Sequence, residues 1–279
     1  MSDVGPRSVT VKIGGAAGVD TDRVCADVAR LTADGARVIV VHGGSNEVDR
    51  LATRLGCAGK TLTSAAGYET RHTDAATMEL ILAAIAGTVN KHLVHALARA
   101  GVRAIGLSGL DGRLIEARRK PAVRVRDGQR VRAVRDDLSG TIERVDHALL
   151  DRLLAGGYVP VVGPPVISTD DEILNVNADR IAAAVAAAAA TEWLVLLSNV
   201  PGLLRDLADP TSLVPRITFE ELGPHLAAAE GGMKMKLEAA RQALAAGVPR
   251  VVIGDSRIDR PLLQAIGGTQ GTGLARWAA

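Results

Sequence analysis

The sequence predicts an α/β protein built on a buried parallel sheet, and three features carry that expectation. Val9-Thr10-Val11-Lys12-Ile13 and Val38-Ile39-Val40-Val41 are largely β-branched runs, of the kind found in strands covered on both faces. Each run ends on a glycine pair, Gly14-Gly15 and Gly43-Gly44, and a stretch of helical period lies between them. The order is βαβα, with right-handed crossovers expected. Of the 279 residues 47% are hydrophobic but only 2% aromatic, so the core must be built from Ala, Val, Leu and Ile.

In the first strand Lys12 stands two residues before its glycines. Glycines there let a ligand approach the backbone, whose amides can face an anion, and the lysine adds a full positive charge. A helix is predicted from Asp20-Thr21-Asp22, which supply capping side chains, through Val24, Val28 and Leu31 to Gly35. The second strand leads to a helix over Val48, Leu51, Ala52 and Leu55 that stops at Gly56. A polar segment, Gly67 to Asp74, precedes a long helix from Ala75 to Ala98. Its apolar face is Met78, Ile81, Ile85, Val89, Leu93 and Leu97. Arg71 sits just ahead of that helix, where a carboxylate could meet a guanidinium and a helix N-terminus together. His92 and His95, one turn apart, lack a third ligand and are expected to be surface or packing residues.

A third strand, Val102 to Leu107, runs into Ser108-Gly109-Leu110-Asp111-Gly112. From Arg113 to Arg135 there are nine basic residues against two acids, Glu116 and Asp127. Around Asp127-Gly128 valine and arginine alternate as in a hairpin. A two-residue turn at Asp127-Gly128 would set Val125 against Arg130. A three-residue loop adding Gln129 would set Val125 against Val131 and Val123 against Ala133, gathering the arginines on one face. Like charges across a strand pair repel, so an acidic partner would relieve a cost.

A helix is predicted over Asp146 to Leu154, then a strand from Tyr158 to Val162 that Pro164-Pro165 should stop. Asn175 and Asn177 alternate ahead of an alanine-rich helix, Arg180 to Ala190, with Asp179 at its start. Another strand spans Trp193 to Val200. Gly231-Gly232-Met233-Lys234-Met235-Lys236 opens a helix that Gly247 should close. Lysines at a helix N-terminus oppose its dipole unless an anion is bound between them. Arg250 to Gly254 is the last long strand, before a Gly-Thr-rich tail.

Several classes are excluded. With 33 Lys and Arg against 31 Asp and Glu, a general nucleic-acid binder is not expected. Cys25 and Cys57 are too few for a disulfide scaffold or a structural zinc site, and no metal site is expected. No basic-then-apolar leader is evident, and the nearest apolar run, Ile181 to Ala190, is too short to cross a membrane. A cytoplasmic protein is the expectation. Gly59-Lys60-Thr61 resembles the tail of a P-loop, but Arg54 stands where its first glycine belongs; no G-x-G-x-x-G follows a strand either.

What remains is two lysines, glycine-rich strand ends, an arginine, amides and one carboxylate. Such a set suits phosphoryl transfer, where catalysis is mainly positioning and charge neutralisation. VKIGG, VVHGG, Arg71-His72-Thr73-Asp74, GTVNK, GLSGLDG, LNVNADRIAAAVA, LLSNVPGLL and GGMKMKLEAA, in this order, resemble the amino acid kinase family along essentially the whole chain.

That resemblance implies a three-layer αβα sandwich with a mainly parallel central sheet. Residues 1–174 would bind the acceptor and 175–279 would bind ATP. Lys12 and Lys236 would balance the transferring phosphoryl group, and Asp179 would hold both lysines in place. Gly14, Gly43 and Gly44 would offer amides to phosphate and carboxylate oxygens. Gly15, Ser198 and Asn199 would lie by the nucleotide, and Mg2+ would travel with ATP. Arg71 would take the α-carboxylate of the acceptor and Asn175 its N-acyl part. Asn199 stands where the family usually has aspartate, and Leu110 replaces a common lysine. The HGG-Ser45-Asn46-Glu47-Val48-Asp49 sequence is more similar to kinases acting on 2-aminoadipate or glutamate joined to an amino-group carrier protein than to acetylglutamate kinases. Those carriers are small and acidic, so Arg118, Arg119, Lys120, Arg124, Arg126 and Arg132 are the expected docking residues. Free N-acetylglutamate is the alternative acceptor, and a non-catalytic nucleotide or metabolite sensor a third reading. A homodimer is the implied assembly, since the chain lacks the extra N-terminal helix of arginine-inhibited hexamers.

Overall fold

The strand carrying Lys12 lies at the centre of the molecule. In the computed structural model, which describes residues 5–57, 59–64, 69–127 and 130–276, it is β1 (Ser8–Ile13), and all six residues are buried. The other described strands are β2 (Arg37–His42), β3 (Thr61–Thr63), β4 (Glu69–Arg71), β5 (Ala104–Gly109), β6 (Ile115–Arg119), β7 (Val123–Asp127), β8 (Arg130–Val134) and β9 (Gly140–Val145). They continue with β10 (Val159–Ser168), β11 (Ile173–Leu174), β12 (Trp193–Ser198), β13 (Arg216–Thr218), β14 (Arg250–Asp255) and β15 (Thr272–Ala275). The main sheet runs β13-β15-β14-β12-β1-β2-β10-β6-β9, with β5 and β11 also paired to β10. Among the described residues of this sheet, only β14–β15, β6–β9 and β10–β11 pair antiparallel. The sheet is continuous across residue 174, because β1 pairs β2 on one side and β12 on the other.

Alternate strand residues enter two separate cores. Val9, Val11, Ile13, Val38 and Val40 pack with Val24 and Val28 of the helix Thr21–Ala33 and with Leu93 and Leu97. Ile39, Val41, Leu194 and Leu196 point the other way. They meet the helices His147–Ala155, Ala178–Ala188 and Gly231–Ala245 through Leu150, Ile181, Leu237 and Ala240. The protein is therefore a three-layer αβα sandwich with a mainly parallel sheet. Its cores are aliphatic, as the composition requires.

The predicted long helix is present as Ala75–Arg99, but Leu82–Val89 is wound with π-type hydrogen bonds. By length and hydropathy it could cross a membrane, unlike the shorter Ile181–Ala190 stretch singled out above. Here Leu93 and Leu97 seat it on the sheet. The prolines do not stop β10. Its ladder with β5 ends at Gly163, and those with β11 and β6 begin at Val166 and Ile167. Pro164 and Pro165 fall in the gap, where no ladder N–H is needed.

The basic hairpin forms in a third register, with Asp127 opposite Arg130, Val125 opposite Arg132 and Val123 opposite Val134. Val125 and Val134 are buried with Leu62, whereas Val131 and Ala133 are exposed. Neither expected register anticipates this, because the docking of β7 on β3 decides which valines turn inward. Short polar β3 and β4 have no periodicity to betray them. Gly67, Tyr68, Gly128 and Gln129, which figure in the sequence reading, lie outside the described residues.

Candidate active site

Lys12 is the penultimate residue of β1, on the face opposite Val11 and Ile13, and points at the start of the helix Ala178–Ala188. That helix is capped by Asn177, whose Oδ1 accepts the N–H groups of Asp179 at 2.9 Å and Arg180 at 3.3 Å. Asp179, in the first turn of that helix, is thereby free to face the lysines. Lys12 Nζ stands 2.7 Å from Asp179 Oδ1, off the line of a directed hydrogen bond, so the contact is an ion pair. Lys236 Nζ approaches Oδ2 at 3.7 Å from the helix Gly231–Ala245. Buried alanines on both helices, Ala182, Ala183, Ala239 and Ala243, allow this close packing.

Burial pushes the Asp179 carboxyl upward, but the two ammonium groups outweigh it and hold the acid below its ordinary range. Lys236 is held below the usual lysine value by burial first and by Lys12, with Asp179 opposing. Two cations kept together by one carboxylate can neutralise a phosphoryl group that carries more than one negative charge.

The turns after β1 and β2 meet backbone to backbone. A Cβ on Gly15 would overlap the Gly44 nitrogen, and one on Gly44 would lie 2.9 Å from Ile85 Cγ1. The amides of Gly14 and Gly43 are already engaged, donating to Leu197 O at 2.9 Å and Ile13 O at 3.1 Å. Gly15 and Gly44 are the pair whose amides find no backbone acceptor among the described residues.

Beneath these turns lies a network that sequence reasoning missed. Neutral His42 donates Nδ1–H to Gly43 O at 2.9 Å and accepts at Nε2 from Asn90 Nδ2 at 2.9 Å. Asn90 also donates to Val161 O at 2.9 Å, tying β2, β10 and the long helix together. Burial lowers the His42 pKa to about 4. The signal was present: VVHGG and GTVNK contain both residues, quoted above without a role.

At the end of β12, Ser198 is buried and its Oγ has no hydrogen-bond partner. Asn199 donates to Ala17 O at 3.3 Å. A Cβ on Gly14 would stand 3.1 Å from Val19 and 3.3 Å from Leu197 O, so a larger residue in the β1 turn requires its neighbours to give way by a few tenths of an ångström. An orphaned hydroxyl beside a side-chain-free turn and paired lysines fits a phosphate chain. Among the described residues no three of His, Cys, Asp and Glu converge to hold a metal ion.

A cavity of about 430 Å³ joins Lys12, Gly44, Arg71 and Asn175. Arg71 is engaged by Asp49 Oδ1 at 2.7 Å and donates to Ser45 O at 3.4 Å, two partners not anticipated from sequence. Asn175 donates to Thr73 Oγ1 at 3.3 Å. The expected docking residues divide into three groups. Arg118 and Arg119 are paired with Glu143 at 2.8 Å and Glu172 at 2.6 Å, so distant acids offset part of the basic run. Lys120 lines the cavity. Arg124, Arg126 and Arg132 are exposed on the hairpin, whose Val123 forms part of the cavity wall.

The amino acid kinase family profile matches residues 8–255. The chain belongs to the amino acid kinase family. Within that family it is 46% identical over 260 residues to the [LysW]-aminoadipate kinase of Deinococcus radiodurans, covering 93% of this chain and 89% of the relative. The [LysW]-aminoadipate kinase of Thermus thermophilus is 44% identical, with 93% and 97% covered. The acetylglutamate kinase of Symbiobacterium thermophilum is 39% identical, with 96% and 90% covered. Among solved structures, N-acetylglutamate synthase of Neisseria gonorrhoeae superposes with a TM-score of 0.77 at 26% identity, over 98% of this chain and 60% of that one. Carbamate kinase of Giardia lamblia superposes with a TM-score of 0.67 at 13% identity, over 98% and 99%, and shares the fold.

Proposed function

We propose that the protein is an ATP-dependent kinase of a side-chain carboxylate, acting on 2-aminoadipate or glutamate whose nitrogen is joined to a small acidic carrier protein. The Lys12–Asp179–Lys236 cluster, whose Lys12 lines the acceptor cavity, carries this reading. An acceptor carboxylate oxygen forms the new bond to the γ-phosphorus as the bond to the β–γ bridging oxygen breaks. The carboxylate is already a nucleophile, so no proton has to be removed. Bound MgATP supplies the activated phosphoryl group. Lys12 and Lys236 offset its negative charge, the Gly15 and Gly44 amides face its oxygens, and Ser198, Asn199 and the Gly14 turn flank the nucleotide. Arg71 takes the acceptor's α-carboxylate by exchanging Asp49, and Asn175 takes the amide at its nitrogen.

Two relatives named [LysW]-aminoadipate kinase, both above 40% identity, favour the carrier-linked acceptor. The exposed arginines at the cavity rim provide a matching surface for an acidic carrier. Free N-acetylglutamate is the second reading, favoured by the 39% identical acetylglutamate kinase. We assign a homodimer and a cytoplasmic location with the same reading. The test is MgATP-dependent acyl-phosphate formation, trapped with hydroxylamine, using N-acetylglutamate, N-acetyl-2-aminoadipate and both amino acids linked to an acidic carrier protein. Turnover confined to linked acceptors supports the proposal. Efficient turnover of free N-acetylglutamate overturns its carrier part, and silence with every acceptor overturns the kinase.

A further inference from the structure

Two cations in the acceptor cavity have no part in the chemistry above. Lys120, just past β6, and Arg180, in the first turn of the helix Ala178–Ala188, line the same cavity as Lys12, Arg71 and Asn175. Burial and then the charge of Arg180 hold the Lys120 ammonium below its ordinary value, so the two cations act on one another. Arg180 Nε is buried without a hydrogen-bond partner. Its position in a first helical turn is also the wrong one for a positive charge.

One acid, Asp137, lines the same cavity, and its charge opposes the effect of Arg180 on Lys120 without cancelling it. Asp137 Oδ2 accepts the Thr73 N–H at 3.0 Å, and Oδ1 accepts the Ser139 N–H at 3.0 Å and the Ser139 hydroxyl. Three other basic residues of the same stretch are paired with acids: Arg113 has Glu116 and Asp171, Arg118 has Glu143, and Arg119 has Glu172. Among the described residues, Lys120 and Arg180 alone face the cavity with no ion pair to close them off. Like charges brought together at a partly dry wall cost free energy until an anion arrives.

We propose that Lys120 and Arg180 form a second anion subsite of the acceptor cavity, and that it takes a carboxylate carried by the group blocking the acceptor's nitrogen. The inference rests on the carboxylate-kinase reading, in which Lys12 and Lys236 serve the phosphoryl group and Arg71 the α-carboxylate. A third anion then has to come from the blocking group. An acetyl group carries none; a blocking group ending in a free carboxylate does. The subsite selects acceptors by chemistry next to the reacting amino acid, independently of the docking of a whole carrier.

The test compares two blocking groups of equal length, N-succinyl- and N-butanoyl-2-aminoadipate, by calorimetric binding to the full protein without nucleotide. The wild type should bind the succinyl compound at least tenfold more tightly. Lys120→Met and Arg180→Gln should each shrink that preference, with butanoyl binding unchanged. Equal affinities in the wild type overturn the subsite. Equal loss for both compounds in the variants also overturns it, because the pair would then be holding the amino acid's own α-carboxylate. Removing either cation relieves a repulsion, so the variants should melt at or above the wild-type temperature; a clear fall would make the pair structural instead. If the binding preference holds while hydroxylamine traps nothing, the kinase reading fails and the subsite stands. If acyl phosphate forms without the preference, the subsite alone fails.

Discussion

At the scale of single residues, the most constrained group is Asp179, since two buried ammonium groups depend on one carboxylate. Asp179→Asn leaves Lys12 and Lys236 facing each other without it. The variant should lose about 3–5 kcal/mol of stability, the cost of stranding buried charge. Lys236→Ala leaves the shorter Lys12 pair intact and should cost little stability. Both should lower acyl-phosphate formation by about 10²–10³-fold, the effect of removing one transition-state charge partner. Urea denaturation and the hydroxamate assay on the two variants separate these effects. Near-wild-type turnover in Lys236→Ala would sink the mechanism. His42 gives a second prediction. Its folded pKa of about 4 lies below the ordinary 6.5, so the unfolded chain binds the extra proton first. The His42 contribution is complete above pH 6.5 and declines as the pH falls toward 4, by about 3 kcal/mol in all. His42→Gln should flatten this part of the stability profile between pH 7 and 4.5; an unchanged slope would place the titration elsewhere.

At the scale of elements, legibility followed burial. β1, β2, β12, β14 and the helices packed on them were readable because their apolar periods answer to one sheet. β3, β4, β13 and the helix Leu222–Ala228 were not, since three to seven residues give no period to count. The hairpin register escaped for a different reason. In the register that forms, Val123, Val125 and Val134 share one face and Val131 and Ala133 the other, and the three-valine face packs on Leu62 of β3. The lysine pair and Asp179 could be picked out from their motifs and Asn177 makes only local capping bonds, whereas the Arg71–Asp49 pair and the His42–Asn90 network join segments distant in the chain. Docking at the hairpin is testable as an element property. Changing Arg124, Arg126 and Arg132 to glutamate should raise KM for a carrier-linked acceptor at least tenfold and leave N-acetyl-2-aminoadipate turnover alone. Equal loss with both acceptors would instead mark disturbed packing of Val125 and Val134.

At the scale of the whole molecule, a net charge of +2 conceals how charge is distributed. Much of the basic run is balanced inside the chain, by Glu143, Glu172, Asp171 and Glu116. Within that run Arg124, Arg126 and Arg132 are exposed on the hairpin whose Val123 lines the cavity, where a field of one sign can guide an acidic protein toward the lysine cluster. Such steering acts between solvent-exposed charges over a Debye length, about 10 Å at 0.1 M salt and about 3 Å at 1 M. Contacts deep in the cavity are screened far less. Raising NaCl from 50 to 500 mM should therefore increase KM for a carrier-linked acceptor by about tenfold or more, chiefly through slower association. The KM for N-acetyl-2-aminoadipate, which meets only the cavity, should move much less. Parallel loss for both acceptors would locate the salt effect at the phosphoryl and carboxylate contacts, and remove long-range attraction from the account of how this kinase finds its partner.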